Sequence, residues 1–296
     1  PCNYLEFRIL KKRINMRKLI YLIVASLAFA ACEKIVEVDL PSEENRLVIE
    51  GQITSTKEPW KVRLTSSQPY FNQNEATTIS NAIVRITGTD GQDILLSHTD
   101  TGMFVSDDSL TCTVGESYTL NVSYDGQSYE ATEELNQGFD FDTLATYFLP
   151  DNNGFIQSGY YVFIQGKENP ETGDYYLFNA YKNDTLQSPQ LDSDEFGSVS
   201  YLNENFDAKN IIAELALGKT PRPFPFTVEP GDSIRVEQFV ISRAYYQFLI
   251  DLSIQQGRSG SPFDSPPANP NNNLSNGALG FFSVAHKVSE EMVVPE

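Results

Sequence analysis

From Arg46 onward the chain is written in short runs whose apolar and polar residues alternate, with turn residues between them. A period of two puts successive side chains on opposite faces of a strand, so each run predicts one strand with one buried face. Seven such runs precede residue 137: Leu47–Ile53, Trp60–Leu64, Ala82–Ile86, Ile94–Leu96, Met103–Val105, Tyr118–Tyr124 and Ser128–Glu130. Thr89-Asp90-Gly91-Gln92 is a turn sequence, and Asp125-Gly126 predicts a tight hairpin. No helical period lies between them. The spacing predicts an antiparallel β-sandwich of immunoglobulin or transthyretin type over residues 45–136.

A second, β-rich domain with one α-helix is expected over residues 137–296, which makes the chain mainly β. Its strands are read at Gly159–Gln165, Asp174–Tyr181, Gly231–Phe239 and Gly280–Val284. Phe139–Gly154, rich in Asp and Asn, reads as a linker, and the acidic stretch Asp184–Asp207 as a loop. The helix is expected at residues 242–256. Ser242 can cap it, Gly257 can stop it, and Tyr245, Tyr246, Leu249, Leu252 and Ile254 supply an apolar stripe toward the sheet. Residues 257–277 read as an irregular crossing loop.

The first 44 residues have a different texture. Met16-Arg17-Lys18 is basic, and Leu19–Ala31 is an apolar run of thirteen residues broken only by Ser26. As a helix it reaches roughly 20 Å, short of the ~30 Å hydrocarbon core of a bilayer. It reads as a signal segment, with Pro1–Asn15 as upstream sequence. Phe29-Ala30-Ala31-Cys32 ends the run as a lipoprotein processing site would. Small residues let a peptidase seat the backbone, and the Cys32 thiol is the nucleophile for a diacylglycerol. At ~0.8 kcal/mol per buried methylene, two or three acyl chains (palmitate or similar) hold a protein on a membrane almost permanently. An ordinary signal-peptidase site with an incidental cysteine, or an uncleaved anchor, are the alternatives. Residues 32–44 read as an acidic tether.

Charge narrows the partners. Residues 32–296 carry 15 basic and 39 acidic side chains. Such a surface repels nucleic acid and anionic lipid, so membrane attachment falls to Cys32. Solubility explains the charge; weak calcium binding is the sharper alternative.

Candidate chemistry is sparse. Cys112 is the only cysteine after Cys32, in a segment (Leu110–Val114) that reads as a strand, so a buried thiol is expected there. His98 and His286 are the only histidines, too few for a zinc site of the Cys/His type. Gly257-Arg258-Ser259-Gly260-Ser261 lacks the strand–turn–helix context of a nucleophile elbow. Ala213–Thr220 matches a relaxed phosphate-loop pattern, but bulky residues fill it and Pro221, Pro223 and Pro225 forbid the helix that should follow. Asp192-Ser193-Asp194-Glu195 offers oxygen ligands without the glycine and closing glutamate of a calcium loop. No metal or other cofactor is expected. Adjacent tyrosines at 160–161, 175–176 and 245–246 would face opposite sides of a strand, leaving one of each pair exposed. Exposed aromatics suit a sugar or peptide, and the candidate contacts are Tyr161, Tyr176, Phe224 of the proline-rich run, and Phe263.

The order of the parts carries a resemblance. The Gly51-Gln52-Ile53 opening, Asn81–Ile86, an Asp-Gly turn, Thr101–Phe104 and Gly115-Glu116-Ser117-Tyr118 are similar to transthyretin-like, carboxypeptidase-regulatory β-sandwiches. Farther on come Gly231–Val236, Tyr245–Leu249, Ser261–Asn269 and Ser275–Ser283. That order resembles the Bacteroidota lipoproteins classed as domain of unknown function 4249. The resemblance implies an outer-membrane lipoprotein encoded near TonB-dependent transporters, and it brings no catalytic residues. The expected function is therefore a non-enzymatic accessory of a TonB-dependent transport system, lipid-anchored in the outer membrane. Its partner would be the transporter barrel, and its task ligand capture or complex assembly. A stand-alone glycan- or peptide-binding surface module is the alternative, and a hydrolase a more distant one.

Overall fold

One long strand near the carboxyl terminus ties the architecture together. The computed structural model describes residues 45–68, 76–138, 140–151, 157–166, 174–187, 190–193, 223–256 and 268–296. They belong to one compact unit, Glu44–Glu296.

All seven strands read from the first half are present. They are β1 (Leu47–Thr54), β2 (Glu58–Ser66), β3 (Ile83–Gly88), β4 (Asp93–His98), β5 (Met103–Leu110), β6 (Ser117–Tyr124) and β7 (Gln127–Glu134). Their alternation sends Ile49, Ile53, Trp60, Val62, Leu64 and Phe104 inward from one sheet, and Val84, Ile86, Tyr118, Leu120 and Val122 from the other. Trp60 and Tyr118 meet edge to face at 5.6 Å between ring centroids, across the middle of this core. β4 turns the corner between the sheets. It pairs with β3 from Asp93 to Leu96, and its last two residues, Ser97 and His98, pair with β5. The Asp125-Gly126 hairpin takes φ of 49° and 73°, the two positive values that a type I′ turn requires.

The second half contributes β8 (Thr143–Leu149), β9 (Gly159–Gln165), β10 (Tyr175–Lys182), β11 (Thr185–Leu186), β12 (Gln190–Ser193), β13 (Thr227–Val228), β14 (Ser233–Ile241), helix α1 (Arg243–Gln256) and β15 (Leu279–Val293). A small sheet, β13-β9-β8, packs against the sheet built on β10, β14 and β15. Phe141, Leu144, Val162, Ile164, Phe224 and Val228 meet Tyr176, Phe178, Ile234, Val236 and Val240 in the second core.

β15 joins the two sandwiches. At 15 residues it reaches roughly 50 Å. Its first half runs parallel to β1, from Val48↔Leu279 to Thr54↔Ala285. Its second half runs antiparallel to β14 on the other side, from Val240↔His286 to Ser233↔Val293. Even-numbered residues face the cores: Phe282 and Val284 enter the first, while Val288 and Met292 pack against the second. The first sandwich is thus completed from the far end of the chain, by Leu274, Ala278, Phe282 and Val284.

Several expectations are corrected. The linker read at Phe139–Gly154 contains β8, whose Thr143-Leu144-Ala145-Thr146-Tyr147-Phe148-Leu149 is β-prone despite polar flanks. The acidic stretch from Asp184 begins with β11 and β12, both paired to β10. Cys112 is buried as expected, but it follows β5 rather than lying in a strand; its N–H donates to the Thr54 carbonyl at 3.1 Å. The last strand runs past Val284 to Val293, because its second half pairs with β14, a partner distant in sequence.

Helix α1 forms where expected. The Ser242 hydroxyl accepts the Tyr245 N–H at 3.1 Å, an N-cap bond to the third helical residue. The helix lies on the outer face of the sheet. Tyr245 and Phe248 cover Phe281, at 4.9 and 5.2 Å, and Tyr246 packs on Tyr175 at 5.1 Å. Ile254, read as part of the packed stripe, is exposed.

The strand edges are treated unequally. The edge of β7 is capped by the loop after Asn272: Ser275 N–H donates to Glu130 O at 2.9 Å, and Glu130 N–H donates to Ser275 Oγ at 2.8 Å. From the same loop, the Asn273 side chain bonds both main-chain groups of Phe282, accepting its N–H at 3.2 Å and donating to its carbonyl at 2.8 Å. An amide side chain here stands in for the strand that the first half of β15 lacks on that side. Glu133 accepts from Asn273 at 3.1 Å and bonds the Ser242 hydroxyl, tying β7, the loop and the helix cap together.

Candidate functional site

Of the residues read as ligand contacts, three are interior. Tyr161 and Tyr176 are buried, and their hydroxyls donate to Gln157 O at 2.8 Å and Asp174 Oδ2 at 3.2 Å. Adjacent strand residues do face opposite sides, but β9 is covered on both sides from Tyr161 to Ile164 and is exposed only at its start, so the exposed member at 160–161 is Tyr160. Phe224 is also buried; its N–H donates to Val162 O at 3.0 Å, and its ring meets Phe178 edge-on at 6.2 Å. The proline-rich run plugs the second core at this point and is not a contact surface there. Phe263 and Cys32 lie outside the described residues, as do the 213–220 pattern, Ser259, and Asp194 and Glu195 of the acidic run.

The exposed aromatic pair is Phe148 and Tyr160, cross-strand neighbours 53% and 44% exposed, with ring centroids 5.4 Å apart. Phe148 shares its strand face with Leu144, which is buried in the second core.

The most chemically suggestive cluster sits where the two halves of β15 meet. Ser55 Oγ lies 3.0 Å from His286 Nδ1, and His286 Nε2 lies 2.6 Å from Asp140 Oδ1. Hydroxyl, imidazole and carboxylate are in line, as a nucleophilic triad needs. Ser55 and His286 are 231 residues apart, and no local pattern joins them. Their other bonds fix the role. Ser55 Oγ accepts the Lys287 N–H at 3.0 Å, so its proton is free to point at Nδ1, and the Nε2 proton then goes to Asp140. The amides that could hold an oxyanion beside that hydroxyl are taken: Ser55 N–H by Ala285 O at 3.1 Å, Thr56 N–H by Thr54 Oγ1 at 3.3 Å. Ser55 thus extends the β1–β15 ladder by a side chain, and His286 clamps the segment after β7 to it.

Beside this clamp the outer face of the sheet carries an ion network. Glu237 bonds Arg235 at 2.7 Å, Lys287 at 3.4 Å and the Tyr181 hydroxyl at 3.3 Å. Lys287 also reaches Glu58 at 3.5 Å, and the Arg235 guanidinium lies 3.8 Å from the centre of the Tyr181 ring. Burial, and then the neighbouring Glu237 charge, pushes the Tyr181 hydroxyl above its ordinary pKa. Every cation in the network has an anion, so it offers no open charge to a ligand.

Three further groups have shifted titration with structural causes. Burial pushes the Tyr118 hydroxyl up to about 12; it accepts the Thr113 N–H at 2.7 Å and donates to Asp90 at 2.7 Å. Burial drives the Cys112 thiol well up, helped by the Asp90 charge. Burial against the outer face of the sheet, with Glu50 nearby, pushes Tyr245 up to about 12. Each favours an inert, protonated group. Among the described residues no cluster of three His, Cys, Asp or Glu side chains is placed to hold a metal ion. No described helix is long and apolar enough to cross a membrane.

Comparison with known proteins adds a family and little else. No curated protein matches the chain. Among solved structures, a two fibronectin type-III domain segment from chicken tenascin is similar over 84% of this chain and 99% of its own, at 10% identity and a TM-score of 0.20. That likeness is too weak to carry an argument. The family described as Domain of unknown function (DUF4249) matches residues 33–291, a span that takes in both cores, the clamp and the capping loop, and the chain belongs to that family.

Proposed function

We propose that this protein is a lipid-anchored, non-enzymatic accessory of an outer-membrane transport complex, held at the membrane through Cys32 and working beside a TonB-dependent barrel in ligand capture or complex assembly. The observation that carries the reading is the thirteen-residue apolar run ending in Phe29-Ala30-Ala31-Cys32, followed by an acidic segment and then a strand-rich body. A second observation supports the non-enzymatic part. The one triad-like cluster among the described residues has its hydroxyl and flanking amides committed to joining strands. Two measurements test the reading. Intact-mass analysis of native protein should find an acylated amino-terminal cysteine, and solubilisation in mild detergent should bring down a barrel protein with it. An unmodified thiol at Cys32 removes the membrane assignment; an acylated protein that purifies alone removes the transport partner.

The alternative of a stand-alone glycan- or peptide-binding module is favoured by one feature, the exposed Phe148–Tyr160 pair. Glycan-array binding by the intact chain that disappears on Tyr160→Ala would select it.

A further inference from the structure

The two sandwiches differ at one side. The first is closed there by β1, which pairs with β15 as far as Ala285. Ser55 and Thr56 carry the pairing one step on, Ser55 Oγ accepting the Lys287 N–H and Thr56 Oγ1 donating to Lys287 O at 3.5 Å. The chain then turns into β2, and no described residue pairs with the rest of that edge.

Which backbone groups are left bare follows from parity. Lys287 directs its N–H to the β1 side. Val294 directs both groups to the other side, donating to Asp232 O at 2.9 Å and accepting from Gly231 at 2.9 Å. Odd-numbered residues therefore face the open side, and Ser289, Glu291 and Val293 present N–H and C=O groups there. All three are exposed, Val293 at 67%.

Nor do the described residues close the interior behind this edge. β15 turns Val288, Glu290 and Met292 toward the core, and none of them is fully buried. The opposed sheet ends at β8, which lies against β15. Phe148 and Tyr160 stand on the core-facing side, in register with Leu144 and Ile164, yet remain about half exposed. Among the described residues no strand covers these apolar side chains on the inner face.

We propose that this open side of the second sandwich receives an extended strand from a partner protein, alternating basic and apolar residues, which pairs with Ser289–Val293. Main-chain bonds to the edge supply the pairing, and alternate apolar side chains enter between Val288, Met292, Phe148 and Tyr160. Charge chooses the partner. Glu291, 71% exposed on the outer face and reached by Arg235 at 3.5 Å, borders the edge, and the chain carries a net charge of −19, which favours lysine or arginine on the outward face of the incoming strand. A second copy of this chain would bring a second net charge of −19 to the same edge. Five edge residues match a strand of about 17 Å. The proposal stands on the open edge alone and requires neither the acyl anchor nor a transporter.

The test uses the intact chain and a capped Lys-Val-Lys-Val-Lys-Val peptide, with an analogue N-methylated at alternate residues. Amide hydrogen exchange should show protection centred on Ser289, Glu291 and Val293, and the methylated peptide should bind at least tenfold more weakly. Ser289→Pro removes one outward N–H without touching a β14 bond and should weaken the peptide tenfold while leaving the melting temperature in place. Equal binding of the methylated peptide means charge attraction only and overturns the proposal, as does protection confined to other strands. Concentration-dependent self-association abolished by Ser289→Pro would make the occupant a second copy and overturn the choice of partner. The methylated-peptide comparison decides the matter even if the proline variant does not fold.

Discussion

Gly280→Ala should be among the most damaging single-methyl substitutions in this protein. Gly280 sits within β15, opposite Ile49 in the parallel ladder, with φ of +97°. A Cβ built there would lie 2.1 Å from the Ile49 carbonyl oxygen and 2.9 Å from its carbon, so the obstacle is backbone and cannot rotate away. Holding a side chain in such a conformation costs ~1–3 kcal/mol. Overpacking adds ~1–3 kcal/mol more. Together they give about 4 kcal/mol, against a whole-domain stability of ~5–15 kcal/mol. Gly231 provides the control: its φ is +91°, but nothing lies within 4 Å of the added methyl, so Gly231→Ala carries the conformational cost alone. Urea denaturation of both variants, at matched m-values, isolates the clash. At ~2–4 °C per kcal/mol for a chain of this size, Gly280→Ala should also melt about 10 °C lower than wild type. If the two variants differ by less than about 1 kcal/mol, the strand crossing is not as close as the geometry says, and the account of how β15 joins the sandwiches fails with it.

Three other outcomes are expected. Asn273→Ala leaves the Phe282 N–H and C=O without their partner, a loss of about 2–4 kcal/mol, with faster amide exchange at Phe282 as the site-specific readout. Glu133 has its carboxyl pKa raised by burial, against smaller opposing bonds from Ser242 and Asn273. A carboxyl whose folded pKa exceeds its unfolded one adds stability at low pH and loses it as pH rises through the folded value. Glu133→Gln should therefore be more stable than wild type at neutral pH, the gap closing as the pH falls below the ordinary carboxylate range; a gap that widens in acid would contradict this. Cys112 should react with a thiol reagent at least a hundredfold more slowly in the native protein than in denaturant, since burial suppresses its thiolate.

The local code of this chain is legible and its long-range code is not. Short β-runs marked all seven strands of the first sandwich, Asp-Gly marked the hairpin turn and Ser242 the helix cap, because each depends on residues within a few positions. Alternation alone could not assign Tyr161, Tyr176 and Phe224. Burial depends on whether a second layer lies on each face, and here a layer covers the faces that Tyr161 and Tyr176 occupy.

Tertiary structure decided what residues far apart do together. The parallel pairing of β1 with β15 joins segments more than two hundred residues apart, and it alone makes Gly280 indispensable and draws Ser55, His286 and Asp140 into one clamp. Asn273 reads in sequence as one more loop asparagine; only the bare edge of β15 beside it turns its amide into a substitute strand. That no described residue pairs with the edge from Ser289 to Val293 is likewise invisible in composition, since it follows from the chain turning away after Thr56. Side-chain periodicity follows from local geometry and can be read directly, whereas the partners of a strand edge depend on where distant segments come to lie.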